Sequence, residues 1–131
     1  MVALNFKDEF ANDVEDRIKL RSIRSRRKDG RDPKPGDRLQ LFTGMRQSGC
    51  RKLGEADCFS VRAVEIDHMG ITLEGRKLYA GDAPAYAGGV DPDHYDGDFA
   101  RADGFDTFQD MREWFEKQHG LPFSGLLIEW R

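Results

Sequence analysis

The stretch Asp32-Pro33-Lys34-Pro35-Gly36-Asp37-Arg38-Leu39-Gln40-Leu41-Phe42-Thr43 decides the fold class. Its first six residues hold two prolines, a glycine and two aspartates, the composition of a turn. The next six mix β-formers with polar residues and read as a strand. Downstream, Phe59, Val61 and Ala63 alternate with Ser60, Arg62 and Val64, which predicts a strand over 59–66. Ile71-Thr72-Leu73 and Lys77-Leu78-Tyr79 then form a hairpin pair around Gly75. A parallel connection needs a crossover of a dozen residues or more. The spacings between 38–43 and 59–79 leave no room for crossover helices, so a doubly wound sheet is not expected.

Working outward, Val2-Ala3-Leu4-Asn5-Phe6 alternates as a strand. Asp8 is placed to cap a helix in which Phe10, Val14 and Ile18 recur every four residues. The loop from Gly44 to Gly54 is polar and basic, and Ala80 to Gly97 is rich in Gly, Pro and Asp, as in a long surface excursion. Thr107 is placed to cap a second helix with Phe108, Met111, Trp114 and Phe115 on one side. Gly120-Leu121-Pro122 ends it, and Gly125 to Trp130 is an apolar closing strand. Short strands with helices set aside predict an α+β fold, a small β-barrel flanked by two to three helices. At 131 residues it is expected to be a single domain over 1–131.

The net charge is only −3, which argues against a generic polyanion binder, but the charge is segregated. Arg17 to Arg31 carries eight Lys/Arg against one acid, Asp29, whereas Asp91 to Glu116 carries nine acids against Arg101 and Arg112. No targeting signal is visible, and no stretch nears the roughly 20 apolar residues of a membrane span. Cys50 and Cys58 make no disulfide framework, which suits a reducing, cytoplasmic setting. His68, His94 and His119 are scattered without zinc spacing. Asp91-Pro92-Asp93-His94-Tyr95-Asp96-Gly97 fails as a calcium loop, with Asp96 at the glycine position and Ala102 at the final glutamate. Neither a metal nor a cofactor is expected.

The chemistry concentrates in Arg17-Ile18-Lys19-Leu20-Arg21-Ser22-Ile23-Arg24. Ile18, Leu20 and Ile23 thread through the charges, as if the segment were pinned on a core. An amine, a hydroxyl and a guanidinium together can hold a phosphate or activate a nucleophile. In an extended segment Ser22 and Arg24 share a face. The arginine neighbours of Lys19 disfavour its charge. A neutral Lys19 would take the proton of Ser22, as in serine–lysine hydrolases. Arg24 would then steady an oxyanion, with Asp103 orienting Lys19 or shuttling a proton.

The chain resembles the ASCH domain family, small barrels of the PUA-like superfamily. The resemblance is carried by Leu4-Asn5-Phe6-Lys7 with Phe10, by Lys19-Leu20-Arg21-Ser22-Ile23-Arg24, and by Lys34-Pro35-Gly36-Asp37-Arg38-Leu39. It continues in Ala102-Asp103-Gly104-Phe105 before a helix with Met111 and Trp114, and in Gly125-Leu126-Leu127-Ile128-Glu129-Trp130. The loop through Thr43-Gly44-Met45-Arg46 and Cys50-Arg51-Lys52-Leu53-Gly54 is similar to a subgroup found in phage and prophage genomes. The resemblance implies RNA binding or action on nucleotides; some members are ribonucleases, and others remove the acetyl group from N4-acetylcytidine. For those amidohydrolases it puts Lys19, Ser22 and Asp103 in the catalytic positions and Arg24 at the arginine of the Lys-x-x-Thr-x-Arg motif. Ser22 replaces a Thr, and Asp103 replaces a Glu one methylene longer.

Three functions follow. The first is a module binding RNA or a nucleotide-like ligand in a cleft lined by Arg21, Arg24, Arg26, Arg27, Lys28, Arg46, Arg51 and Lys52. Tyr79, Tyr86, Tyr95 and Phe99 would offer it stacking surfaces. The second is a hydrolase of RNA or a modified nucleoside through Lys19, Ser22 and Asp103. The third is a phage-type protein-interaction factor. The oligomeric state is left open.

Overall fold

The computed structural model describes residues 1–84 and 91–131. Its order is β1 (Val2–Phe6), α1 (Asp8–Glu15), β2 (Arg21–Arg24), β3 (Arg38–Thr43), β4 (Arg51–Asp67), β5 (Gly70–Leu73), β6 (Arg76–Lys77), α2 (Asp96–Ala102), α3 (Phe108–His119) and β7 (Phe123–Trp130). Among the described residues this is an α+β chain with seven strands in one mixed sheet and three helices. Pairing runs β1-β3-β4-β5-β6, with β7 against β2 and β4, and does not close into a barrel. Two compact units divide the chain, Met1–Val61 with Leu127–Arg131, and Arg62–Leu126.

In the first unit β1 lies parallel to β3, from Val2↔Leu39 to Phe6↔Thr43. β3 lies antiparallel to β4, with a register shift after Leu41 that makes Leu53 the extra residue of a bulge. Strand alternation turns Leu4, Phe6, Leu39 and Leu41 inward. Phe6 meets Trp130 edge to face with ring centroids 5.8 Å apart. Helix α1 adds Ala11 and Val14 to this core.

Several sequence expectations change here. Helix α1 takes Lys7 as N-cap, not Asp8, and ends at Glu15. Arg17 adopts a left-handed backbone, φ +60°, and the amides of Ile18 and Lys19 both donate to the Asp13 carbonyl. That reversal takes Ile18 off the helical stripe, leaving it 72 % exposed. The basic loop after Gly44 is shorter than expected, because β4 already begins at Arg51. The buried phase of β4 is Ala56, Cys58, Val64 and Ile66, one residue out of step with Phe59, Val61 and Ala63. Phe59 stays on the surface, under the Arg131 guanidinium at 4.8 Å.

In the second unit β5 pairs antiparallel with β4 from Val64↔Leu73 to Asp67↔Gly70. β5 and β6 form the expected hairpin, its turn made by Glu74 and Gly75 at φ +50° and +79°. Thr107 caps α3, its hydroxyl accepting the Asp110 amide at 3.1 Å. Met111 and Phe115 face inward, while Trp114 is half-buried between Phe105 and Phe115. Helix α2, unforeseen, occupies the end of the surface excursion. It begins at the buried Asp96, whose Oδ1 accepts the Gly81 amide at 2.9 Å. Burial pushes the Asp96 carboxyl up, against the pull of the Gly81 and Gly97 amides. Among the described residues no helix is long and apolar enough to cross a membrane.

Leu39→Ala should lower unfolding free energy by about 2–5 kcal/mol. Ile18→Ser should change it by less than about 0.5 kcal/mol, and urea midpoints check both. Asp96 binds its proton more tightly folded than unfolded. Its contribution is therefore fully present below about pH 4 and declines as pH rises through the folded value. The stability of Asp96→Asn relative to wild type should rise with pH over that window, read from urea unfolding in a pH series.

Candidate nucleic-acid interface

The candidate interface begins in the segment leading into β2, where charged residues turn inward and apolar ones outward. Through residues 18–22, Ile18 and Leu20 face outward, while Lys19, Arg21 and Ser22 are buried, the first two at 5 % exposure. The reversal at Arg17 sets this phase, and the main chain of β2 holds it, with the Trp130 amide donating to the Leu20 carbonyl at 3.1 Å. Burying charge is costly unless it is compensated. Lys19 Nζ lies 5.1 Å from the Phe10 ring centroid, a cation–π contact. Arg21 Nη1 lies 3.8 Å from Glu129 Oε2.

Beyond Ser22 the guanidinium groups turn to β1. Arg24 Nε donates to Ser22 Oγ at 3.2 Å, confirming that the two share a face. Arg24 Nη2 donates to the Asn5 carbonyl at 2.5 Å, and its guanidinium carbon stands 4.7 Å from the Phe6 ring centroid. Arg27 Nη2 donates to the Ala3 carbonyl at 2.7 Å. Ala3 and Asn5 are two residues apart in β1, so their carbonyls point to one edge. The pair of arginines thus covers the end strand of the sheet path.

An open cleft of about 650 Å³ lies over this edge. Four cations line it, Arg24, Arg27, Lys28 and Arg46, with Asn5 and Met45. Its one acid, Asp29, already accepts the Arg31 amide at 2.9 Å. Among the described residues Lys28 and Arg46 make no ion pair. Arg46 has φ +69°, a left-handed conformation that disfavours any side chain. Gly44 shapes the same loop at φ +67°, where a Cβ would come within 3.0 Å of the Gly49 carbonyl oxygen. The cleft can take a chain of phosphates, with planar forks for bidentate contacts and a lysine as point charge.

Other candidate residues are not among those lining the cleft. Arg21 is turned into the core, and Arg26 is exposed but does not line the cleft. Arg51 and Lys52 sit on β4 in ion pairs, Arg51 with Glu15 at 2.7 Å and Lys52 with Glu55 at 2.6 Å. Hydrogen bonds from Lys52, and secondarily from Arg38, hold the Glu55 carboxyl below its ordinary range. Asp103 belongs to the second unit, where it is buried and ends α2. Of the proposed stacking residues, Tyr79 is 68 % exposed and lies 5.5 Å from Tyr95 between centroids, in the second unit. Phe99 is fully buried and offers no surface. Tyr86 lies outside the described residues. Sequence reasoning missed Asn5 and Met45 as lining residues; the only available signal was the polar position of Asn5 between Leu4 and Phe6.

Compared with family models, curated proteins and solved structures, the chain matches none of them.

Proposed function

We propose that this chain is an ASCH-type α+β domain that binds single-stranded RNA, gripping its phosphates in the cleft of Arg24, Arg27, Lys28 and Arg46. The carrying observation is four cations around one open cleft whose only acid is already hydrogen-bonded. The ordered arginines support the reading too. Arg24 and Arg27 are fixed by carbonyls before any ligand arrives, so less side-chain entropy is lost on binding. A single strand fits an open groove better than a duplex, because its backbone can follow an irregular wall.

Hydrolysis through Lys19 and Ser22 of the first unit is the second reading. The inward phase of Lys19 and Ser22 favours it, because buried polar groups of this kind concentrate at functional sites. Under that reading the cleft is where substrate enters, and Lys19→Ala abolishes turnover of N4-acetylcytidine or RNA while the affinity for RNA is kept.

The decisive variants are those without a structural duty. Arg24 and Arg27 hold β1, so their loss would confuse folding with binding. Lys28→Ala and Arg46→Gly avoid this. Glycine accepts the left-handed backbone at 46, so Arg46→Gly should leave the unfolding midpoint unchanged or slightly raised. Each variant should weaken binding to an oligouridylate. Each should also reduce the slope of log affinity against log salt by about 0.7, the release of one counterion from a single strand. Fluorescence anisotropy across a salt series measures both. Wild-type binding that ignores salt, or slopes unchanged in both variants, would remove the cleft from the mechanism.

A further inference from the structure

A second pocket, of about 440 Å³, adjoins the basic cleft, and Asn5 and Met45 line both. Its chemistry is different. Lys7 is its one cation, and it carries two acids, Asp8 and Glu9. A second run of phosphates would meet those carboxylates, so this pocket does not simply extend the backbone track.

Its polar groups are fixed in direction. Asn5 Oδ1 accepts the Met45 amide at 2.9 Å. A backbone amide can only donate, which sets the orientation of the Asn5 side chain and leaves its Nδ2 as a donor. Asn5 is exposed, and among the described residues no acceptor holds Nδ2. The buried Thr43 hydroxyl shares its hydrogen between the Phe6 carbonyl, at 2.7 Å, and Asp8 Oδ1, at 3.1 Å. That contact steadies the Asp8 carboxylate beside the pocket. A fixed amide donor near a carboxylate acceptor complements a nucleobase edge, where carbonyl or ring-nitrogen acceptors stand beside N–H donors. The Met45 side chain adds a soft apolar wall of the kind that adapts to a flat ring.

We infer that this pocket receives one unstacked nucleobase of the strand whose phosphates lie in the basic cleft, with Asn5 Nδ2 donating to an acceptor on that base. The inference rests on the RNA-binding reading and adds to it a subsite with a named reader. Asn5 stands at the boundary of the two pockets and lines both, and its carbonyl holds Arg24 in the basic cleft.

The test compares an oligouridylate with an abasic ribose–phosphate oligomer of equal length, on wild type and Asn5→Asp. Aspartate keeps the acceptor for the Met45 amide, removes the donor, and adds a charge that weakens both oligomers alike. Wild type should prefer the oligouridylate by about three- to tenfold, the scale of one net hydrogen bond. In Asn5→Asp the ratio should fall to about one. Equal affinities in wild type would overturn the base subsite and leave the cleft reading standing, a result that does not depend on any variant. A ratio preserved in a folded Asn5→Asp would overturn the role of Asn5. Failure of wild type to bind either oligomer at low salt would overturn the cleft reading, and this inference with it.

Discussion

The outer edge of β1 is the constraint on which the first unit is organised. β1 ends the path of sheet pairing, and an end strand exposes carbonyls that invite another chain. Here two guanidinium groups take that place, Arg24 on Asn5 and Arg27 on Ala3. Hydrogen bonds to a charged donor contribute about 1.5–3 kcal/mol each where they are sheltered, and less at an exposed edge. The arrangement closes the gap between β1 and the segment after β2 with side chains where a strand ladder is absent. It also collects positive charge along one line, and the basic cleft is the consequence.

The segment leading into β2 departs from the facing that hydrophobicity alone would set. Ser22 and Arg24 share one face of β2, and from it Arg24 reaches the Asn5 carbonyl. Lys19 and Arg21 are drawn inward in the same segment, at 5 % exposure each, and Ile18 and Leu20 are left outside. A segment selected only for stability would place the isoleucine and leucine inward and the charges in water. Desolvating the charges is compensated in part by the Phe10 ring and by Glu129. Stability alone therefore does not account for the facing of this segment. Lys28 and Arg46 lie outside it, and Arg46 even holds a backbone conformation that glycine would adopt more easily.

The division of polarity between the two adjoining pockets follows from neighbouring elements. Cations come from the end of β2, the segment after it and the β3–β4 loop, whereas acids come from the first turn of α1, where the helix dipole favours them. Asn5 stands at the boundary because β1 is followed directly by that helix. A ligand carrying both phosphates and bases would use each side for the part that suits it.

The sequence by itself determined the elements with strong local signals. The Pro–Gly–Asp turn before β3, the Gly75 hairpin, the Thr107 cap of α3 and the closing apolar strand were all legible, because capping and turn chemistry act within a few residues. The basic character of residues 17–31 was legible too. What only the tertiary structure decided was phase and partnership. Whether Ile18 or Lys19 faces the core depends on one left-handed residue, Arg17. Whether Arg51 and Lys52 belong to a cleft depends on Glu15 and Glu55, and Glu15 lies 36 residues from Arg51 in the chain. Asn5 became visible as a candidate site residue only when β1 lay beside β3 and Met45 offered its amide. Alternation fixes which residues share a face, but contacts distant in sequence choose which face is the inner one.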